Sequence, residues 1–264
     1  MYRFWSVFFA LLPIACTAFF GYSWYSASLD PMNHWWFPEN VSSVGGEIDG
    51  LFMLILGATT FTFLLCNVLL VVYMWKYAAD KEEHDEPPIY THGSHKVEIG
   101  AALATALTLG FLAVSQIPTW TKIKFPDSTS MKEAKEIARV TARQFEWRMT
   151  YPGPDGVFDT IDDFESNSVL VIPANTPVKI RLESKDVLHS FFLPNFRIKQ
   201  DAVPGMSIPV WFEGRKIGEY DLVCAELCGW GHYKMKARIV VKSPADYREW
   251  LENKAEKMRA ASED

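Results

Sequence analysis

Two cysteines four residues apart, a histidine four beyond the second and a methionine three beyond that crowd the run Cys224-Ala225-Glu226-Leu227-Cys228-Gly229-Trp230-Gly231-His232-Tyr233-Lys234-Met235. A second histidine, His189, stands upstream at the end of a strand-like segment. Thiolates, imidazoles and a thioether together select copper over hard cations. Cysteines at this spacing can turn both sulfurs into one loop interior, where both could bridge two metals. Met235 would be a weak ligand of the kind that tunes a copper potential. Two other readings stay open on spacing alone. The same residues could hold a structural zinc, and in an oxidising compartment the cysteines could pair as a disulfide. The methionine favours copper, because zinc gains little from a thioether.

A loop of this kind needs a rigid rim to hold it. After Pro118 the sequence turns to short alternating segments separated by Gly, Pro and Asp. In residues 177–183, Val178, Ile180 and Leu182 share one face and Lys179, Arg181 and Glu183 the other, which is a strand pattern. Residues 169–172, 207–212, 217–223 and 235–242 also read as strands. Such a series predicts a β-sandwich or barrel, with the cysteine loop between its last two strands. A helix is expected from Ser243, with Pro244 in its first turn, Asp246 completing a capping-box-like start, and Tyr247, Trp250 and Leu251 on its buried face.

The chain ahead of this domain is different. Three apolar stretches, near 4–25, 51–75 and 97–117, approach or exceed the roughly 20 residues that span a bilayer as a helix. The first is read as a retained helix rather than a cleaved secretory signal. Residues 26–50 contain no Lys or Arg, whereas Lys76, Lys81 and Lys96 lie between the second and third stretches. The positive-inside rule then puts Arg3 and the 76–96 loop in the cytoplasm and the C-terminal domain outside. The expected organisation is a membrane anchor over 1–121, an outer domain over 122–242 and a C-terminal helix and tail over 243–264. Residues 1–121 hold 4 Lys/Arg against 10 Asp/Glu, while the remainder holds 22 of each. No basic patch suggests nucleic acid. Cys16 and Cys66 fall inside apolar stretches and read as small packing residues. The absence of Cys-x-x-Cys-His excludes an attached c-type haem.

The pattern Cys-x-Glu-x-Cys-x-x-x-His-x-x-Met resembles the binuclear copper (CuA) loop of cytochrome c oxidase subunit II. Leu188-His189-Ser190-Phe191-Phe192-Leu193-Pro194, continuing through Lys199-Gln200-Asp201-Ala202-Val203-Pro204-Gly205-Met206, is similar to that family's first-histidine region. The resemblance covers most of residues 47–251 and implies a membrane-anchored α + β protein, with transmembrane helices (three are expected) followed by a cupredoxin-like β-barrel. It implies two coppers bridged by Cys224 and Cys228, with His189 and His232 each on one copper. Met235 and the Glu226 carbonyl would be weak ligands. The Glu226 side chain would reach a Mg²⁺ shared with subunit I. It further implies no catalytic residue in this chain, since oxygen would be reduced in subunit I. Implied partners are subunit I, subunit III, membrane lipid and a cytochrome c or similar donor. The implied place is a bacterial plasma membrane, multi-pass, with the copper domain on the outer face.

Two further features rest on the resemblance. Gln144-Phe145-Glu146-Trp147 resembles the family's aromatic electron-entry segment, with Phe145 where Trp is common. Phe145, Trp147 and Trp230 are therefore the candidates for electron entry, against the ordinary reading of large aromatics as core. Glu98, in His95-Lys96-Val97-Glu98-Ile99, resembles the mouth of a proton path, although an interfacial carboxylate is the simpler reading on sequence alone. Asp155, Asp159, Asp162, Asp163 and Glu165 form an acidic stretch without a base between Arg148 and Lys179. It reads as a solvated hairpin tip, and could also steer a basic cytochrome c or hold Ca²⁺. Rival functions are the CuA-bearing subunit of a nitric oxide reductase, and a membrane-anchored copper carrier.

Overall fold

The computed structural model describes residues 2–30, 36–77, 90, 92–125, 128–153 and 155–263. Lys81, on which part of the expected orientation rests, lies outside them. Two compact units are formed, one by residues 1–37 and 50–116, the other by 38–49 and 117–264.

The first unit holds α1 (Tyr2–Leu29), most of α2 (Gly45–Lys76) and α3 (His95–Ser115). Among the described residues three helices are long and apolar enough to cross a membrane, and they match the three apolar stretches. Several of their polar side chains turn back on their own backbone. Thr17, Thr59, Thr62, Thr105 and Thr108 each donate a hydroxyl to the carbonyl four residues earlier, and the Asn67 amide donates to Phe63 O at 2.8 Å. These groups need no water, so they can sit in hydrocarbon without a partner.

The second unit begins with the short helices α4 (Ile117–Lys124) and α5 (Thr129–Glu133) and is otherwise β-structure. Its strands are β1 (Lys135–Arg143), β2 (Glu146–Tyr151), β3 (Phe164–Asn167), β4 (Val169–Pro173), β5 (Val178–Ser184), β6 (His189–Leu193), β7 (Ile198–Ala202), β8 (Ile208–Phe212), β9 (Gly218–Cys224) and β10 (Lys236–Lys242). They make two five-stranded sheets, ordered β3-β2-β1-β5-β8 and β4-β10-β9-β6-β7. Pairing is antiparallel except for β1 with β5 and β4 with β10. This is the expected cupredoxin-like architecture.

Alternation builds the core. Val178, Ile180 and Leu182 of β5 are fully buried, as are Trp147, Met149 and Tyr151 of β2. Phe191, Leu222, Ile239 and Val241 from the other sheet close the same core. The helix α6 (Pro244–Glu263) starts as expected, with Ser243 Oγ accepting the Asp246 N–H at 3.1 Å. Its Tyr247 and Ala255 are buried, and the half-buried Trp250 packs edge-on against Tyr151 at 5.0 Å.

Strand direction defines two ends of this sandwich. β1 runs from Lys135, opposite Val178, to Arg143, one residue past the pairing of Ala142 with Ser184. β2 returns from Glu146 to Tyr151, where the connection 152–163 leaves, and β3 takes it up again at Phe164 opposite Tyr151. Residues 152–153 and 155–163 therefore lie at the end of the sandwich remote from residues 144–145. Steering of a donor by the acidic stretch is corrected on this ground if the donor is to reach the cysteine loop. The carboxylates there are occupied locally. Asp159 makes a two-point pair with Arg139 at 2.6 and 3.0 Å, Asp155 accepts the Val157 N–H, and Asp163 accepts the Asp159 N–H.

Candidate metal centre

Two strand ends and one loop assemble the donors. His189 opens β6, Cys224 closes β9, and these strands are neighbours, with Phe191 opposite Cys224. The loop 225–235 is tied at both ends, because Cys224 N–H donates to Met235 O at 3.2 Å and Ala225 N–H to Ser190 O at 3.0 Å. Inside it, His232 N–H donates to Gly229 O and Met235 N–H to His232 O.

The ligand atoms converge in two halves. Cys224 Sγ lies 3.9 Å from His189 Nδ1 and 3.3 Å from the Glu226 carbonyl oxygen. Cys228 Sγ lies 3.6 Å from His232 Nδ1 and 3.8 Å from Met235 Sδ. The sulfurs are 3.9 Å apart and both cysteines are free thiols. His189, Cys224 and Cys228 are buried and their ligand atoms lie within 4.8 Å of one another, a group that does not include His232. Each sulfur thus has its own imidazole and its own weak donor. Burial and the neighbouring Cys224 push the Cys228 thiol up to about 11, so metal binding must displace its proton.

Neighbouring residues hold this geometry. Asp186 Oδ1 lies 2.8 Å from His189 Nε2. The ring therefore donates from Nε2 and presents the Nδ1 lone pair to the sulfurs, which fixes the tautomer a metal requires. The same carboxylate accepts the Gln144 and Val187 N–H groups, both at 2.7 Å. Burial works against its charge, but the bonds from His189, Gln144 and Val187 outweigh it and hold the carboxyl below its ordinary range. The Gln144 side chain donates to Cys228 O at 2.6 Å. Phe145 lies flat on the loop backbone, since a Cβ on Gly231 would stand 2.5 Å from its ring. At Gly229 a φ of 134° excludes other residues, and Gln144 and Phe145 fill the space where a Cβ would be. The pair Gln144-Phe145 is a strap across the metal loop.

The three aromatic candidates fall in different places. Trp230 is 80% exposed and meets the half-buried Phe145 edge-on at 5.2 Å. Trp147 is fully buried, edge-on to His189 at 6.2 Å and to Phe191 at 5.7 Å. The expectation that Trp147 meets a donor is corrected, because it has no surface to offer one. Glu98 lies in the first turn of α3, exposed, with His95 Nδ1 at 3.3 Å. Sequence reasoning did not single out Asp186, Gln144 or Gly231. Asp186 had a local signal, three residues before His189. Gln144 and Gly231 act across 84 and 86 residues of chain and have none.

Comparison with known proteins agrees with this site. A family model described as the periplasmic domain of cytochrome c oxidase subunit II matches residues 143–243. The alternative cytochrome c oxidase subunit 2 of Bradyrhizobium diazoefficiens is 29% identical over 242 residues, covering 83% of this chain and 83% of that protein. Cytochrome c oxidase subunit 2 of Thermostichus vulcanus is 33% identical over 166 residues, covering 60% of this chain and 47% of that protein. Among solved structures, the periplasmic domain of subunit II of cytochrome oxidase (CoxB) of Bradyrhizobium japonicum aligns with 28% identity and a TM-score of 0.42, over 47% of this chain and 96% of that one. Residues 143–243 thus match the family of cytochrome c oxidase subunit II, and the chain is similar over most of its length to members of that family. The cluster of His189, Cys224, Cys228 and Met235 is consistent with a CuA-type copper site.

Proposed function

We propose that this chain is the electron-accepting subunit of a respiratory cytochrome c oxidase. Cys224 and Cys228 would bridge two coppers, His189 and His232 would each hold one, and Met235 and the Glu226 carbonyl would be the weak donors. Copper bound there supplies one-electron transfer at nearly constant geometry. The observation that carries this reading is the division of the donors, an imidazole and a weak donor beside each sulfur. A single tetrahedral zinc, with bonds of about 2.0–2.3 Å, would draw both imidazoles and both sulfurs around one point. The grouping of His189 with the two sulfurs but without His232 argues against that.

The residues around the donors do the rest. Asp186 orients His189, the Gln144-Phe145 strap keeps the loop from opening, and the surrounding core excludes water. Trp230, exposed and packed on Phe145, is the contact through which an electron from cytochrome c would enter. Subunit I would take the electron to its haem and reduce oxygen there. Glu226, whose side chain is half-buried, would hold Mg²⁺ with subunit I, and subunit III would complete the complex. Three apolar helices support a multi-pass anchor in a bacterial plasma membrane with this domain outside. Glu98, exposed at the start of α3, would open a proton path in the partner subunit.

The test is purification from native membranes through a tag on this chain. A haem-bearing partner should co-purify, and cytochrome c should drive oxygen uptake by the complex. Cys224→Ser should abolish that uptake with the partner still bound. Uptake at the unaltered rate in Cys224→Ser would contradict the proposal.

A further inference from the structure

We infer that Gln144 is the positioning residue that keeps the two halves of the metal centre equivalent, so that one electron is shared evenly between them. The inference rests on the proposed copper-bearing, electron-accepting role and adds what fixes the symmetry of that centre.

The two halves are held by different means. In one, His189 and the Glu226 carbonyl flank Cys224. In the other, His232 and Met235 flank Cys228. Gln144, on the connection between β1 and β2, reaches both. Its backbone N–H donates to Asp186 Oδ2 at 2.7 Å, and the other oxygen of that carboxylate meets His189 Nε2 at 2.8 Å. Its side-chain amide donates to the Cys228 carbonyl at 2.6 Å. A single residue therefore ties the histidine of the first half to the cysteine of the second.

The loop backbone shows why such a tie is needed. At its base the halves are joined by the Cys224 N–H, which donates to Met235 O at 3.2 Å. Farther out, the Cys228 carbonyl belongs to the peptide that leads into Gly229, where φ is 134°. Glycine resists rotation of that peptide less than any other residue. The backbone alone thus leaves the orientation of the Cys228 carbonyl soft, and the Gln144 amide sets it. The glycine also makes room for the tie, since a Cβ there would stand 2.9 Å from Gln144 Nε2. Gln144 is exposed as a residue, yet it is held at both its backbone and its side chain.

Two metal ions share one electron evenly only when both offer it the same energy. Hydrogen bonds that orient the ligands, and those around a cysteine ligand, shift that energy. Loss of the bond to the Cys228 carbonyl acts on one half alone, because Asp186 still holds His189. The electron then settles towards one copper.

The experiment uses the purified full chain loaded with copper, with electron paramagnetic resonance and copper counting on three proteins. Gln144→Met matches the glutamine in length and keeps the backbone N–H, but has no amide to donate. It should retain two coppers per chain and lose the hyperfine pattern of equal sharing, with the larger coupling on one nucleus. Phe145→Leu removes the ring from the strap and leaves both Gln144 bonds, and should keep equal sharing. Equal sharing in Gln144→Met would overturn the inference, as would loss of a copper from that variant, which would make Gln144 a requirement for uptake rather than for symmetry. The same inequality in Phe145→Leu would also overturn it, by assigning the effect to packing. The unaltered protein separates the two levels. If it shares the electron equally while Gln144→Met does too, only this inference fails. If it binds one copper or zinc alone, the proposed electron-accepting centre fails as well.

Discussion

The two ends of the sandwich are built from similar materials and do opposite things with them. At the remote end, aromatic side chains point inward. Tyr151 stacks on Phe164 at 5.2 Å, Trp250 covers both, and Tyr151 Oη accepts the Val171 N–H and donates to Val171 O. Acids there fold the 152–163 connection. At the metal end, Trp230 and Tyr233 stand out in water, and the partly exposed Asp186 serves a histidine. The remote end spends its side chains on stability. The metal end leaves apolar and charged groups in water and holds its shape through a few long-range contacts. The comparison teaches that burial and partners, rather than residue type, separate structure from function here.

Substitutions at the two ends test that contrast. The largest effect is expected at Trp147, the core residue beneath the site. Trp147→Ala should cost about 3–5 kcal/mol in chemical denaturation, because it empties the centre of the core. A loss below about 1 kcal/mol would mean that the ring is not the keystone of the core.

Gly231→Ala should come next, at about 1–3 kcal/mol, since the new methyl would collide with Phe145. It should also weaken copper uptake. Adding Phe145→Ala should restore uptake to Gly231→Ala, and no rescue would contradict the strap. Asp186→Ala frees the His189 ring and should weaken copper binding about ten- to hundredfold in a competition titration with a chelator. An unchanged affinity would mean that the ring is held by packing alone.

The smallest effect belongs to the remote end. The hydrogen bond from Arg181 holds the Glu136 carboxyl below its ordinary value of 4.5, against the opposing pull of burial. Because the folded pKa is the lower one, the stabilisation is present above the ordinary value and is lost as pH falls through the folded value. The pair is partly exposed, so Glu136→Gln should cost within about 1 kcal/mol at neutral pH. Melting curves of the two proteins should converge in acid, with the copper spectrum unaltered throughout. A changed spectrum would show that the ends are coupled.

Much of this was legible in the sequence, for reasons that differ by element. The three long helices are plain because no other structure hides so long an apolar run. β5 and β10 alternate cleanly and were anticipated to within a residue or two. β1 was not, because its core positions include Ala138 and Ala142 and a bulge between Glu136 and Ala138 breaks the alternation. β6 shows no alternation at all, since the metal loop buries Ser190 on its outer side. The donor residues announce themselves by type. The groups that hold them do so less plainly: Asp186 has only its place three residues before His189, and Gln144 acts through a contact made 84 residues away. Aromatic residues looked alike in the sequence, and burial alone separated Trp147 from Trp230. The acidic stretch was visible, but only strand direction reveals which end it occupies.

The loop and His189 are proposed to hold two coppers as one electron-transfer centre. Electron paramagnetic resonance, with copper counting, on the purified full chain after copper loading tests it most directly. Two coppers per chain are expected, with a hyperfine pattern of one unpaired electron shared equally between two copper nuclei. One copper per chain with the pattern of a single nucleus, or tight zinc with no signal, would contradict it.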